Sequence, residues 1–136
     1  MVLSYGGPHM LKSLKNILII ILLLIVAYYI GLGLLPRSDV WISHFQVSEQ
    51  QDTITIYTTV SSSAGYTRTV KNVSNDPKMM KLKFYSAFGG VNGSIGAKSE
   101  FDLPLSPECK EIYVLLDADY ELSIKKNPIT GKWEYA

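Results

Sequence analysis

MMKLKFYSAF, residues 79–88, sets Met80, Leu82, Phe84 and Phe88 in one phase and Lys81, Lys83 and Tyr85 in the other. Successive side chains of a strand point to opposite faces, so this period-two pattern predicts a strand with one buried side. The pattern continues outward along the chain. Downstream, SEFDLPL (99–105) puts Phe101, Leu103 and Leu105 on one face, and EIYVLL (111–116) follows. YELSIKK (120–126) groups Tyr120, Leu122 and Ile124, and KWEY (132–135) ends the series. Upstream, WISHFQV (41–47) places Trp41, Phe45 and Val47 together, which reads Trp41 as the first core residue. TITIYTTV (53–60) aligns Ile54, Ile56 and Val60 with Thr58, and YTRTVKNV (66–73) precedes the opening stretch.

Turn-forming SSSAG, SNDPK, GGVNG, LSPEC, DAD and NPITG separate these segments. Short strands broken at such intervals predict an all-β domain over residues 41–136, a small antiparallel immunoglobulin-like β-sandwich, with a small β-barrel as the alternative. LPLSPECKEIYVLL (103–116) resembles the turn and Tyr-bearing strand of fibronectin type III sandwiches. The spacing from Leu105 and Pro107 to Tyr113 exceeds that module's Leu-x-Pro-x-x-x-Tyr by two residues. The likeness covers one corner and bears on fold class alone.

The chain before the strands is of another kind. Residues 17–35 carry no charge and are mostly Ile and Leu. As a helix this run is roughly 28 Å long, close to the ~30 Å hydrocarbon core of a bilayer. It exceeds the roughly 7–15 apolar residues of a removable signal, so a retained transmembrane helix is expected. Gly31 and Gly33 near its outer end offer a signal-cleavage pattern, which makes a secreted product the alternative. Lys12 and Lys15 precede the run, whereas Arg37 and Asp39 follow it and cancel. The positive flank predicts a cytoplasmic N-terminus over residues 1–16 and an extracytoplasmic domain beyond a short linker at 36–40. Ala27 and Gly31 have the spacing of a close helix–helix contact, a weak pointer to a homodimer.

MVLSYGGPH, residues 1–9, sits oddly before that anchor. Gly6-Gly7 is encodable by a sequence resembling a bacterial ribosome-binding site ahead of Met10, and Pro8-His9-Met10 also reads as a cloning scar. Residues 1–9 are therefore set aside in the functional reading.

No pattern of catalytic or ligating residues emerges. His44 and Cys109 are the domain's single imidazole and single thiol, far apart in sequence, so neither a zinc site nor a nucleophile–base pair is indicated. Cys109 lies in a Pro-containing turn beside Lys110, which is expected to lower its pKa. An intermolecular disulfide and an inert thiol are its two readings. Asp117, Asp119 and Glu121 alternate in LLDADYE, the pattern of an acidic hairpin edge without the glycine and distal acid of a calcium loop. No metal and no cofactor are expected.

GGVNGSIGAKS (89–99) superficially resembles a phosphate-binding loop, but Ala97 interrupts the motif and a strand with Pro104 follows instead of a helix. Loops on strand scaffolds are where ligands dock, so Gly89, Gly90, Val91, Asn92, Gly93 and Ser94 are the candidate binding loop. Of thirteen Lys and Arg, two precede the apolar run, leaving eleven against twelve Asp and Glu beyond it. That balance argues against a nucleic-acid partner. Lys71, Lys78, Lys81 and Lys83 gather around one turn, as a solvated edge-strand face or as a surface for anionic lipid or wall polymer. The expected partners are the lipid bilayer through residues 17–35 and an envelope protein or wall component. A binding module is the favoured class. A small envelope enzyme with carboxylate catalysis is the other.

Overall fold

A computed structural model describes residues 8–61, 65–89 and 93–136. Helix α1 (Pro8–Leu34) contains nearly all of the apolar run. It is long and apolar enough to cross a membrane, and almost none of its apolar window is covered by protein. A core helix of that composition would be buried; here only Gly33 is.

Among the described residues nine strands follow. They are β1 (Pro36–Arg37), β2 (Val40–Val47), β3 (Thr53–Val60), β4 (Thr67–Asn72), β5 (Met79–Ser86), β6 (Glu100–Pro104), β7 (Glu111–Leu116), β8 (Asp119–Lys126) and β9 (Trp133–Tyr135). The eight expected strands form close to their expected bounds, and β1 is additional. One sheet is three-stranded, ordered β2-β3-β6. The other has six strands centred on β5, with β4 on one edge. Along its other edge β5 pairs with β7 at residues 79–82 and with β1 at residues 84–85. The two sheets share one apolar core, in which Val40, Ile54, Ile56, Leu82, Phe84, Ile112 and Ile124 are fully buried.

Two expectations are corrected at this level. The pairing is mixed rather than wholly antiparallel, because β5 and β7 run parallel. Between them the chain crosses to the other sheet as β6 and returns, so two reversals restore its direction. Neither sheet closes on itself, which removes the barrel alternative.

Two bulges correct the assignment of faces. In β2 the register shifts between Ile42 and His44. Val40 and Ile42 face inward before the shift, Phe45 and Val47 after it, and Trp41 is left 52% exposed. A bulge inserts one residue and so flips the alternation, which a strict period of two cannot anticipate. A second register shift, between Ile112 and Tyr113 of β7, keeps Ile124 in the core but turns Leu122, opposite Tyr113, and Tyr120, opposite Leu115, towards the outer face.

The junction between helix and sheets is itself structured. Pro36 and Arg37 pair with Tyr85 and Phe84, and Asp39 bridges Leu116. The Asp117 amide donates to the Ser38 carbonyl at 3.0 Å. Arg37 grips Asp39 in a two-point ion pair, 2.9 and 2.8 Å. Residues 36–40 are thus woven into the sheet. They do not hang between helix and domain.

Candidate functional site

Strand direction sorts the loops into two ends. Residues 60–61, 65–67, 86–89, 93–100 and 116–119 lie at the end where α1 arrives; 47–53, 72–79, 104–111 and 126–133 lie at the far end.

The candidate glycine loop belongs to the helix end. It is pinched where Phe88 and Ile95 exchange backbone hydrogen bonds of 3.0 and 3.2 Å. Gly89 has φ +104°, a conformation that side-chain-bearing residues rarely adopt. A Cβ on Gly93 would stand 2.3 Å from the Phe88 carbonyl oxygen. Ser94 is exposed, and its carbonyl accepts the Ala97 amide at 3.0 Å. Gly90, Val91 and Asn92 lie outside the described residues. At the loop's base the Phe88 ring rests on the backbone of Gly33, where a Cβ would lie 2.1 Å from a ring carbon. Arg68 stacks over the same ring at 4.3 Å and donates to the Gly33 carbonyl at 2.7 Å. Phe88 and Arg68 therefore clasp the end of α1. Gly31, the other half of the small-residue pair with Ala27, has open space around it.

Beside this clasp an open cleft of about 460 Å³ is lined by Thr58, Tyr66, Thr67, Lys98 and Ser99 among others. Its two buried threonines are spent on structure: Thr58 donates to the Ser99 carbonyl and Thr67 to the Lys98 carbonyl, at 3.4 and 2.7 Å. The far end holds a second cleft, about 390 Å³, between Glu49–Asp52, Leu105–Pro107, Cys109, Lys126 and Trp133. There the buried indole N–H of Trp133 has no hydrogen-bond partner among the described residues.

The other chemistry-bearing residues do not converge. Cys109 is 2% exposed within the core, and burial pushes its thiol pKa up. That reverses the lowering expected from Lys110: desolvation outweighs the Glu111 backbone contact and the Lys126 charge, both of which lower it. His44 is exposed on β2, its ring 5.5 Å from that of Tyr57, and the Tyr57 hydroxyl reaches Glu100 at 3.5 Å. This row across β2, β3 and β6 is a grouping that one-dimensional spacing hides. Burial and the Glu100 carboxylate raise the Tyr57 pKa, so the phenol stays protonated and offers no base. Asp117, at φ +54°, and Ala118 form the β7–β8 turn, and Asp119 opens β8 opposite Leu116. Among the described residues no group of three or more His, Cys, Asp or Glu is placed to hold a metal ion.

Tyr113 does not form the tyrosine corner of immunoglobulin-type sandwiches, in which the hydroxyl returns to upstream backbone. Its hydroxyl donates to the Glu111 carboxylate two residues away, and that bond raises the phenol pKa. Comparison with protein-family models, with curated proteins and with solved structures finds no match for this chain.

Proposed function

We propose that this chain is a single-pass membrane protein whose β domain, an immunoglobulin-like sandwich, stands outside the cytoplasm and binds another component of the cell envelope. Two sheets over one core support the sandwich, and Lys12 and Lys15 ahead of the apolar helix support the orientation. The observation that carries the reading is the clasp. Gly33, Phe88 and Arg68 join the last turn of α1 to the domain within a few residues of the helix exit.

A tethered enzyme that searches for substrate is served by a slack linker. A rigid junction holds the domain's outer surfaces at a set height and angle above the lipid, which suits a module that meets a partner fixed in the same envelope. The clasp is made by Phe88 and Arg68, at the base of the glycine loop, and the loop itself stays the candidate partner-binding segment.

Crosslinking in native membranes, followed by mass spectrometry, tests the binding reading. Discrete partners linked through the β domain are expected, and cell-wall hydrolysis without such partners would turn the assignment to an enzyme. Protease added to intact cells tests the orientation: loss of the β domain is expected, and full protection would reverse it. Resistance to alkaline carbonate tests the anchor. A product that washes free, with its N-terminus beyond Gly33, would establish the secreted alternative.

A further inference from the structure

The outer face of the six-stranded sheet carries an arrangement that the core does not require. Register places Lys71 of β4 directly opposite Lys83 of β5, and Lys81 of β5 opposite Tyr113 of β7. All four belong to the strand phase opposite the buried Leu82, Phe84, Ile112 and Val114. Lys71 Nζ lies 5.4 Å from the Tyr85 ring centroid and Lys81 Nζ 5.6 Å from that of Tyr120. Lys78 stands at the turn that enters β5. None of these lysines lies within ion-pair distance of a carboxylate among the described residues.

Edge protection does not account for them. Charged side chains on an unpaired edge strand resist aggregation, and that explanation serves Lys71 on β4. Lys81 and Lys83 sit on β5, the strand with partners along both edges. Like charges facing each other across a ladder also destabilise it, so the Lys71–Lys83 pair is a cost in the free domain. An anion laid across the pair removes that cost.

From this geometry we infer that the outer face of β4-β5-β7-β8 binds a linear phosphodiester polymer, a polyanion of the polyol-phosphate kind. The inference rests on the reading of the domain as an envelope-binding module and names its ligand class. Lys81 and Lys83, two residues apart on a strand, place their charges about 7 Å apart along it. A phosphodiester chain presents charges at comparable intervals, separated by C–H-rich units. Lysine meets phosphate as a mobile point charge, which suits a flexible polymer better than the fixed fork of arginine. Tyr85, Tyr113 and Tyr120 provide ring surfaces against which the C–H units pack. The ladder runs along β5 from Tyr85, next to the clasp, towards the far end. A chain can follow that line over its whole length, whereas a lipid surface is met by the anchored end first.

The test uses the full-length protein in neutral phosphatidylcholine nanodiscs, with a fluorescent poly(glycerol phosphate) oligomer as probe and anisotropy as readout. Saturable binding is expected, weakening on the order of tenfold when salt rises from ~0.05 to ~0.3 M, as release of counterions requires. The triple variant Lys71→Gln, Lys81→Gln, Lys83→Gln should lose at least about tenfold in affinity while melting no lower than the parent. Lys132→Gln, on the far loop, should bind as the parent does.

Unchanged affinity in the triple variant, equal binding of a neutral polyol, or no binding at all would overturn the inference. Stronger competition by phosphatidylglycerol vesicles or single-stranded DNA than by unlabelled polymer would also overturn it, in favour of that surface or strand. Envelope crosslinks that persist while the polymer fails to bind would sink this ligand class alone. Absence of any crosslinked partner would sink the binding reading beneath it.

Discussion

The Arg68 guanidinium lies 4.3 Å from the centroid of the Phe88 ring and, from that stacked position, donates to the Gly33 carbonyl at the end of α1. One side chain thereby joins Phe88, β4 and the helix. A cation at a helix C-terminus contributes about 0.3–1 kcal/mol, up to ~2 when partly buried, and stacking on an aromatic face about 0.5–2. Arg68→Ala should therefore destabilise the junction by about 1–3 kcal/mol. Thermal unfolding in detergent measures the loss, and faster proteolysis just after Leu34 should accompany it. An unchanged melt together with an unchanged cleavage pattern would show that the clasp holds nothing.

Gly33 owes its identity to the same contact. Any Cβ there would stand within 2.1–2.9 Å of three Phe88 ring carbons. Gly33→Val should expel the ring and cost about 1–3 kcal/mol, the usual range for overpacking. Gly31→Val is the matched control, since a Cβ at 31 meets nothing within 4 Å. Equal melting of the two variants would remove packing as the reason for glycine at 33.

Most of the strand framework was legible because burial imposes a period of two, and β3, β5 and β6 follow it without interruption: Ile54, Ile56, Leu82, Phe84, Phe101 and Leu103 all face the core. Trp41 and Leu122 were misplaced because a bulge leaves no mark in composition. The clasp was illegible for a different reason. Gly33, Arg68 and Phe88 are far apart in the chain, and each alone reads as an ordinary small, charged or apolar residue. The lysines were visible as a cluster, yet only strand order shows that β5 is interior and that edge protection cannot explain two of them.

Among the described residues three groups carry raised pKa values: Cys109 through burial, Tyr57 through burial and Glu100, and Tyr113 through its bond to Glu111. In each case the folded chain holds its proton more tightly than the unfolded chain. Above the thiol's ordinary 9.0 the unfolded state begins to lose protons first, so stability is fully present below that pH and falls as pH rises through the folded-state values. Urea midpoints measured across the alkaline range should decline from about pH 9 upward, less steeply in Cys109→Ala. At pH 8, iodoacetamide should label Cys109 only as fast as the domain opens. Rapid labelling of the folded chain would place the thiol at the surface.

Trp133 supplies a test of the far cleft. Its indole N–H is buried without a partner among the described residues, and a buried donor left unpaired costs about 1–3 kcal/mol. The ring itself packs against the core, so its removal and the removal of its N–H have opposite effects. Trp133→Phe keeps one aromatic ring and deletes the donor, so relief of the unpaired N–H offsets the cost of the lost second ring. It should melt within a degree or two of the parent, or higher. Trp133→Ala should lose about 3–5 kcal/mol through the cavity it leaves. A marked loss in Trp133→Phe would mean that the N–H is satisfied in solution, by ordered water in the Glu49–Asp52 cleft or by a bound group there, and the cleft would then be an occupied site rather than an empty fold in the surface.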